Sequence, residues 1–317
     1  MRNGIRRPAV GLLLSLLASL LLTPAALAQG ETTYLFPDDE GSWAAPGSHV
    51  GRTATEPVRA EIVGVGRFEV HPGDVEQLRP DIFRPGWVSV FDVIAHLGEA
   101  GQIDLAYHYD DAMATHVIDE LNGTTGWWYE ARYDGGWFER NVHRMDLYPV
   151  KDGTAVRLFA DRPTRWEQVH RTFTDEVARL EENEGVLILP AVEIRGARGV
   201  LTFENVVVTP HNVRSDMLQP GVITALDIPV SLGEQGKLSI VGLTWYDRIG
   251  SADPVDHYFI ERVEAEGFLS QASGGCGFVY EVGPTLFAGF AGSHIHIPTD
   301  ARVMVSPEYA EWFWLCL

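Results

Sequence analysis

The sequence predicts an α+β fold: two tandem modules, each a small mixed sheet with one short helix, joined by an amphipathic helix. Three observations predict it. The chain aligns with itself in consistent order, each copy carries one capped helical segment, and short alternating segments bounded by turn residues surround that helix. "RAEIVG" (59–64) meets "AVEIRG" (191–196), and "FEVHPGDV" (68–75) meets "VVVTPHNV" (206–213). "PGWVSVFDVIAHLGEAGQI" (85–103) then meets "PGVITALDIPVSLGEQGKL" (220–238) without a gap, with seven of nineteen positions identical. Finally "GWWYEA" (126–131) meets "GFVYEV" (277–282).

Residues 1–28 have a basic start, the apolar run "GLLLSLLASLLL" and "ALA" before Gln29, the layout of a cleavable secretory signal. The expected location is therefore periplasmic or secreted. No later stretch is long and apolar enough to span a bilayer. Losing Arg2, Arg6 and Arg7 with the signal moves the formal charge from −20 to −23. So acidic a body repels nucleic acid and anionic membrane, which excludes both as expected partners.

Residues 29–56 are rich in Gly, Pro, Thr and Ala without sustained periodicity and read as an irregular leader. The first module is expected over 57–163. Ser89 with Asp92 three later forms a carboxylate variant of the capping box, and Val90, Phe91, Ile94 and Leu97 fall on one helical stripe that Gly98 ends. "EIVGVGRFEV", "THVIDEL", "GWWYEARY" and "TAVRLF" are its strands. Over 164–185, a Thr164 to Glu167 capping box opens a helix with Trp166, Val169, Phe173, Val177 and Leu180 on one face, expected to pack on a module. The second module is expected over 186–317. There Thr224 and Asp227 repeat the cap, and Pro229 should bend or shorten the helix.

The run "VFDVIAHL", "HVIDELNGTTGWWYEARYDGG", "YPVKDGTAVRLF" resembles the small β-grasp-type domain at the C-terminus of transcobalamin and intrinsic factor, a family also found in exported bacterial proteins. Gly126, Trp127, Trp128, Tyr129, Gly135, Asp152 and Gly153 carry the resemblance, which covers about 75 residues of the first copy and reaches the second only through the internal alignment. It implies two tandem β-grasp-like modules, the second divergent, and a domain that in the vitamin carriers closes over one face of a corrinoid. "YDGG" replaces the family's asparagine-glycine turn, the second copy lacks the double tryptophan, and no helical-barrel domain supplies the other half of a corrinoid site.

Strand alternation places Trp127, Tyr129 and Ala131 on a core face, matched by Phe278, Tyr280 and Val282. Trp128, Glu130 and Arg132 share the outer face, matched by Val279, Glu281 and Gly283. A tryptophan beside charges there suits a ligand platform or interface, or a position covered by the 164–185 helix or the other module.

The histidines offer a second site. His143 and His294 each follow an aligned tyrosine by fourteen residues, and His116 aligns approximately with His257. His294 and His296 share one strand face, a spacing that suits a metal or haem contact. Duplication alone also produces paired positions. Two cysteines in an exported chain, Cys276 and Cys316, read as a disulfide, buried on the core face. No nucleophile elbow, HExxH, phosphate loop or dinucleotide fingerprint is present, so the chain reads as non-enzymatic. The expected function is binding or assembly with another exported protein, a surface component or a small ligand. The alternative is a periplasmic carrier of a metal, haem or corrinoid.

Overall fold

The computed structural model describes residues 32–35, 49–132, 139–140, 142–249, 253–288 and 297–316. The signal segment, Gly135, His294 and His296 lie outside the described residues. In chain order the elements are β1 (Thr32–Leu35), β2 (Val58–Ile62), β3 (Gly66–Val70), α1 (Val90–Glu99), β4 (Leu105–Asp110), β5 (Thr115–Leu121), β6 (Trp127–Arg132), β7 (Glu139–Arg140), β8 (Ala155–Ala160) and α2 (Pro163–Glu182). The second half adds β9 (Leu187–Gly196), β10 (Gly199–Val208), α3 (Asp227–Glu234), β11 (Ile240–Tyr246), β12 (His257–Ala265), β13 (Phe268–Gln271), β14 (Cys276–Gly283) and β15 (Tyr309–Cys316). The class is α+β.

Both halves build a sheet on one plan. In the first, β2 and β3 form a hairpin, β8 runs parallel to β2, and β6 pairs antiparallel with β8, giving the order β3-β2-β8-β6-β7. In the second, β9 and β10 form the hairpin, β15 runs parallel to β9 and β14 antiparallel to β15, giving β10-β9-β15-β14. Each chain segment between hairpin and central strand carries the helix and a second hairpin. That hairpin, β4–β5, stands as a two-stranded sheet in the first half. Its counterpart β11–β12 is widened by β13 and by β1 from the leader. The leader is thus not wholly irregular, because the open edge of β11 takes Thr32–Leu35 as a strand.

Local chemistry sets the helix ends. Ser89 Oγ accepts from Asp92 N at 3.2 Å while Asp92 Oδ2 accepts from Ser89 N at 2.6 Å, so the first capping box closes as expected. In the second copy Asp227 still accepts from Thr224 N at 2.6 Å, but the helix begins at Asp227 with Leu226 as its N-cap. Pro229 then falls in the first turn, where its missing N–H breaks no ladder bond, and the helix is short rather than bent open. Helix α2 opens at Pro163 behind Arg162, not at Thr164, since proline is preorganised for the first helical position. It buries Val169, Thr172, Phe173 and Glu176, and Trp166, Val177 and Leu180 are half-buried beside them.

The halves meet through equivalent residues. Phe83 and Leu218, each two residues before an aligned Pro-Gly pair, form an antiparallel bridge. Arg84 N donates to Met217 O and Gln219 N to Ile82 O, both at 2.8 Å, so the contact is isologous like that of a two-fold dimer. The first core accordingly includes Met217, Leu218, Ile297, Ala301 and Val303 from the second half.

Candidate functional site: an aromatic cavity beneath the long helix

Strand β6 is buried on both faces: Trp127, Trp128, Tyr129 and Ala131 are each under one-tenth exposed. Tyr129 and Ala131 face the core, and the Tyr129 hydroxyl donates to His143 O at 2.9 Å. Trp128 faces α2. Its ring lies 6.1 Å from Phe173 and 6.3 Å from His170, centroid to centroid. Of the readings open for Trp128, the structure places it under the helix. Yet the helix does not fill the space there. A cavity of about 460 Å³ remains between α2, the β4–β5 hairpin and the start of β6.

The wall contributed by α2 is Trp166, His170 and Phe173, spaced to lie on one helical stripe. The opposite wall holds Trp127, Trp128 and, from α1, Phe91. Gly126 turns the chain into β6 at φ +77°, where a Cβ would come within 2.9 Å of Trp166 Nε1. Only glycine lets the helix approach the strand so closely.

Polar groups enter at three points. His116 is held by Asp146, which accepts at Oδ2 from His116 N and lies 3.0 Å from His116 Nδ1, while Thr115 Oγ1 donates to Oδ1 at 2.6 Å. Arg79 donates to the same carboxylate at 2.9 Å. Burial alone would raise Asp146, but the His116 hydrogen bond and the Arg79 charge hold it below the usual carboxylate range. His170 makes ring contacts only among the described residues, 4.9 Å from Trp166, and burial lowers its pKa, so the imidazole is neutral near pH 7. At the mouth Asp119 and His108 Nδ1 are 2.9 Å apart, and that bond raises the His108 pKa.

A buried ion pair fixes α2 over the cavity. Arg144 donates to Glu176 at 2.5 Å, to Phe173 O at 3.1 Å and to Met113 O at 2.8 Å, with its guanidinium 4.4 Å from the Phe173 ring centroid.

The second half repeats the polar cluster, where the space lined by His257 and Lys151 amounts to only about 10 Å³. Arg214 donates to Asp300 at 3.0 Å and to Asp216 at 2.9 Å, as Arg79 does to Asp146 and Asp81. His257 Nδ1 lies 2.8 Å from Asp300, and Tyr258 N donates to the same carboxylate at 3.0 Å. Lys151 of the first half reaches in to donate to Val255 O at 3.1 Å, and burial brings its pKa down to about 7. Burial, aided by the Lys151 and Arg214 charges, also lowers His257, although Asp300 pulls it the other way.

The remaining sequence candidates fall elsewhere. Glu130 joins a cross-strand charge ladder, with Arg157 3.4 Å away and Glu61 3.8 Å beyond, and Arg132 is exposed at the strand end. Trp128 alone of that trio lines the cavity. His143 is buried against Arg302, whose pKa burial lowers to about 9. Ile297 holds the matching place in the second half, because the Tyr280 hydroxyl donates to Ile297 O as Tyr129 does to His143 O. The insertion before Ile297 hides this from a count of fourteen. His116 and His257 are equivalent, each bound to the cluster carboxylate. Among the described residues no three His, Cys, Asp or Glu side chains come together as a metal site.

Cys276 and Cys316 form a disulfide between directly paired residues of β14 and β15. It lies beyond the core: Cys276 is half-buried and Cys316 exposed, which corrects the expected burial. No helix among the described residues is long and apolar enough to cross a membrane.

Sequence reasoning missed Arg79 and Arg214, Asp146 and Asp300, His170 and the Arg144–Glu176 pair. The first had a signal: "RPD" (79–81) and "RSD" (214–216) continue the ungapped alignment six residues upstream of its Pro-Gly start. No protein-family model matches the chain, and no curated protein or solved structure matches it.

Proposed function

We propose that this is an exported, non-enzymatic binding protein of two tandem β-grasp-like modules, related in plan to the transcobalamin C-terminal domain, and that it holds a small ligand in the cavity beneath α2. The carrying observation is the cavity itself. Its 460 Å³ falls in the range of small-molecule sites, and aromatic walls with a few polar groups are the usual lining. A secretory signal at 1–28 and a disulfide fit an oxidising compartment.

A small ligand is favoured over a protein partner because Trp128, the aromatic expected to serve an interface, is 5% exposed and lines an internal space. Haem and corrinoids are disfavoured: haem propionates and a corrinoid phosphodiester would meet no Lys or Arg among the lining residues. The His116–Asp146 pair is read as positioning rather than catalytic, since His257–Asp300 repeats it where the imidazole is locked between Arg214 and a carboxylate.

Protein isolated from its native exported fraction, denatured and analysed by mass spectrometry, tests the proposal. A small molecule released in near-stoichiometric amount by the natural chain and lost from Trp128→Ala supports it. A tightly co-purifying protein partner with no released molecule contradicts it.

A further inference from the structure

Resting on that binding reading, we infer that the cavity selects an organic cation, one carrying a planar or alkylated ammonium-type head. Four features of the lining point the same way. Trp127, Trp128, Trp166 and Phe173 line it, and aromatic rings attract cations through their quadrupole, tryptophan most strongly. No Lys or Arg lines the cavity, and His108 at its mouth is already paired with Asp119 at 2.9 Å, so an anionic ligand would lose its hydration and have to compete with a carboxylate for that one imidazole. Asp119 stands at the mouth with its side chain 49% exposed, placed to meet a cationic group or steer one inward. The whole chain carries a net charge of −20, which raises the local concentration of cations at any opening.

The histidines agree with this polarity. His170 sits inside among Trp166, Trp128 and Phe173 as a neutral imidazole, a hydrogen-bond partner that adds no repulsion. His116 turns its Nδ1 to Asp146, and the cation nearest that carboxylate, Arg79, is neutralised by Asp81 and Asp146 together. His108 is the positive charge closest to the mouth, and it is paired with Asp119 at 2.9 Å and with Asp110 at 3.9 Å. The volume exceeds what a single ammonium head needs, so the walls fit a cation with an attached aromatic or alkyl body.

Three probes of one shape separate charge from cavity. Isothermal titration of the full chain with 1-methylquinolinium, neutral 1-methylnaphthalene and anionic 1-naphthoate should rank them cation, neutral, anion, with about tenfold between the first two. Asp119→Asn should weaken the cation several-fold and leave the neutral probe unchanged. That pattern separates a charge contact from a folding defect. Equal or tighter binding of the neutral probe would overturn the cation inference while leaving the binding reading in place. Failure of all three probes, with thermal unfolding of the chain intact, would overturn both.

Discussion

Trp128 on β6 and Val279 on β14 hold the same register position in the two sheets, opposite Phe159 and Phe313. Over the tryptophan lies α2, pinned by Arg144 and Glu176. Beside the valine, β14 is tied to β15 by the Cys276–Cys316 bridge. A similar contrast separates the two polar clusters. His116 forms a cavity wall, with Tyr109 edge-on at 5.0 Å and 42% exposed. In the second half Trp245 stacks on His49 of the leader at 5.0 Å, and Arg52 donates to Asp256 at 2.7 Å. Residues that back an open space in one half are sealed in the other by the leader and by Lys151. One fold plan therefore has two outcomes: the first half keeps an open cavity and the second covers the equivalent cluster. The chemistry of the cluster does not decide which; what covers it does.

The largest expected effect comes from unpinning α2. Arg144→Ala leaves Glu176 buried without its cation and should cost about 3–5 kcal/mol in urea unfolding. It should also abolish probe binding, whereas an unfolding cost with binding intact would detach the helix from the cavity.

The second half has a different staple. Reducing the disulfide, which closes a separation of 40 residues, should cost up to about 4 kcal/mol by the chain-entropy relation, read as a lower midpoint in urea. Because the bridge is remote from α2, ligand affinity of the reduced protein should persist wherever it remains folded.

The comparison of clusters sharpens next. Each arginine keeps one carboxylate, Arg214 the buried Asp216 and Arg79 the exposed Asp81, but Asp300→Asn also removes the counter-charge next to Lys151 in a fully buried site, while Asp146→Asn acts beside a solvent-exposed pair. The first should cost more than the second by about 1 kcal/mol or more. Equal losses in paired unfolding curves would show the clusters to be energetically alike.

A further effect is one of pH. His257 has a folded pKa below its unfolded value of about 6.5, so the unfolded chain binds the proton first on acidification. Its contribution is therefore intact above about pH 6.5 and is lost as pH falls below that, by about 1.4 kcal/mol per unit until the folded group titrates. His257→Gln should flatten unfolding stability across that window.

Much of this architecture was legible. The Pro-Gly blocks located both helices, Ser89 and Asp92 fixed one start, and two cysteines behind a signal-like segment implied the bridge. Periodicity also assigned Tyr129 to the core face of β6 and Trp128 to the other, whereas Trp127, expected with Tyr129, lines the cavity beside Trp128. It left the cover of Trp128 open between α2 and the other module, and gave no sign of the space beneath the helix. An amphipathic stripe on α2 states that something is covered, not what, and the gap left over Trp128 is set by Gly126 and the Arg144–Glu176 pair, contacts distant in sequence. His170 was invisible because a histidine on such a stripe has no sequence signature of its own. Counting fourteen residues past each tyrosine pairs His143 with His294, whereas the tyrosine hydroxyl bonds match His143 with Ile297, three residues further on, because a count across a loop ignores insertions.

The most direct test of the account is the stoichiometry of 1-methylquinolinium binding to the full chain. A ligand space confined to the first half predicts one site per chain, abolished by Trp128→Ala and unchanged by Val279→Ala. Two equivalent sites, or a single site that survives Trp128→Ala, would contradict it.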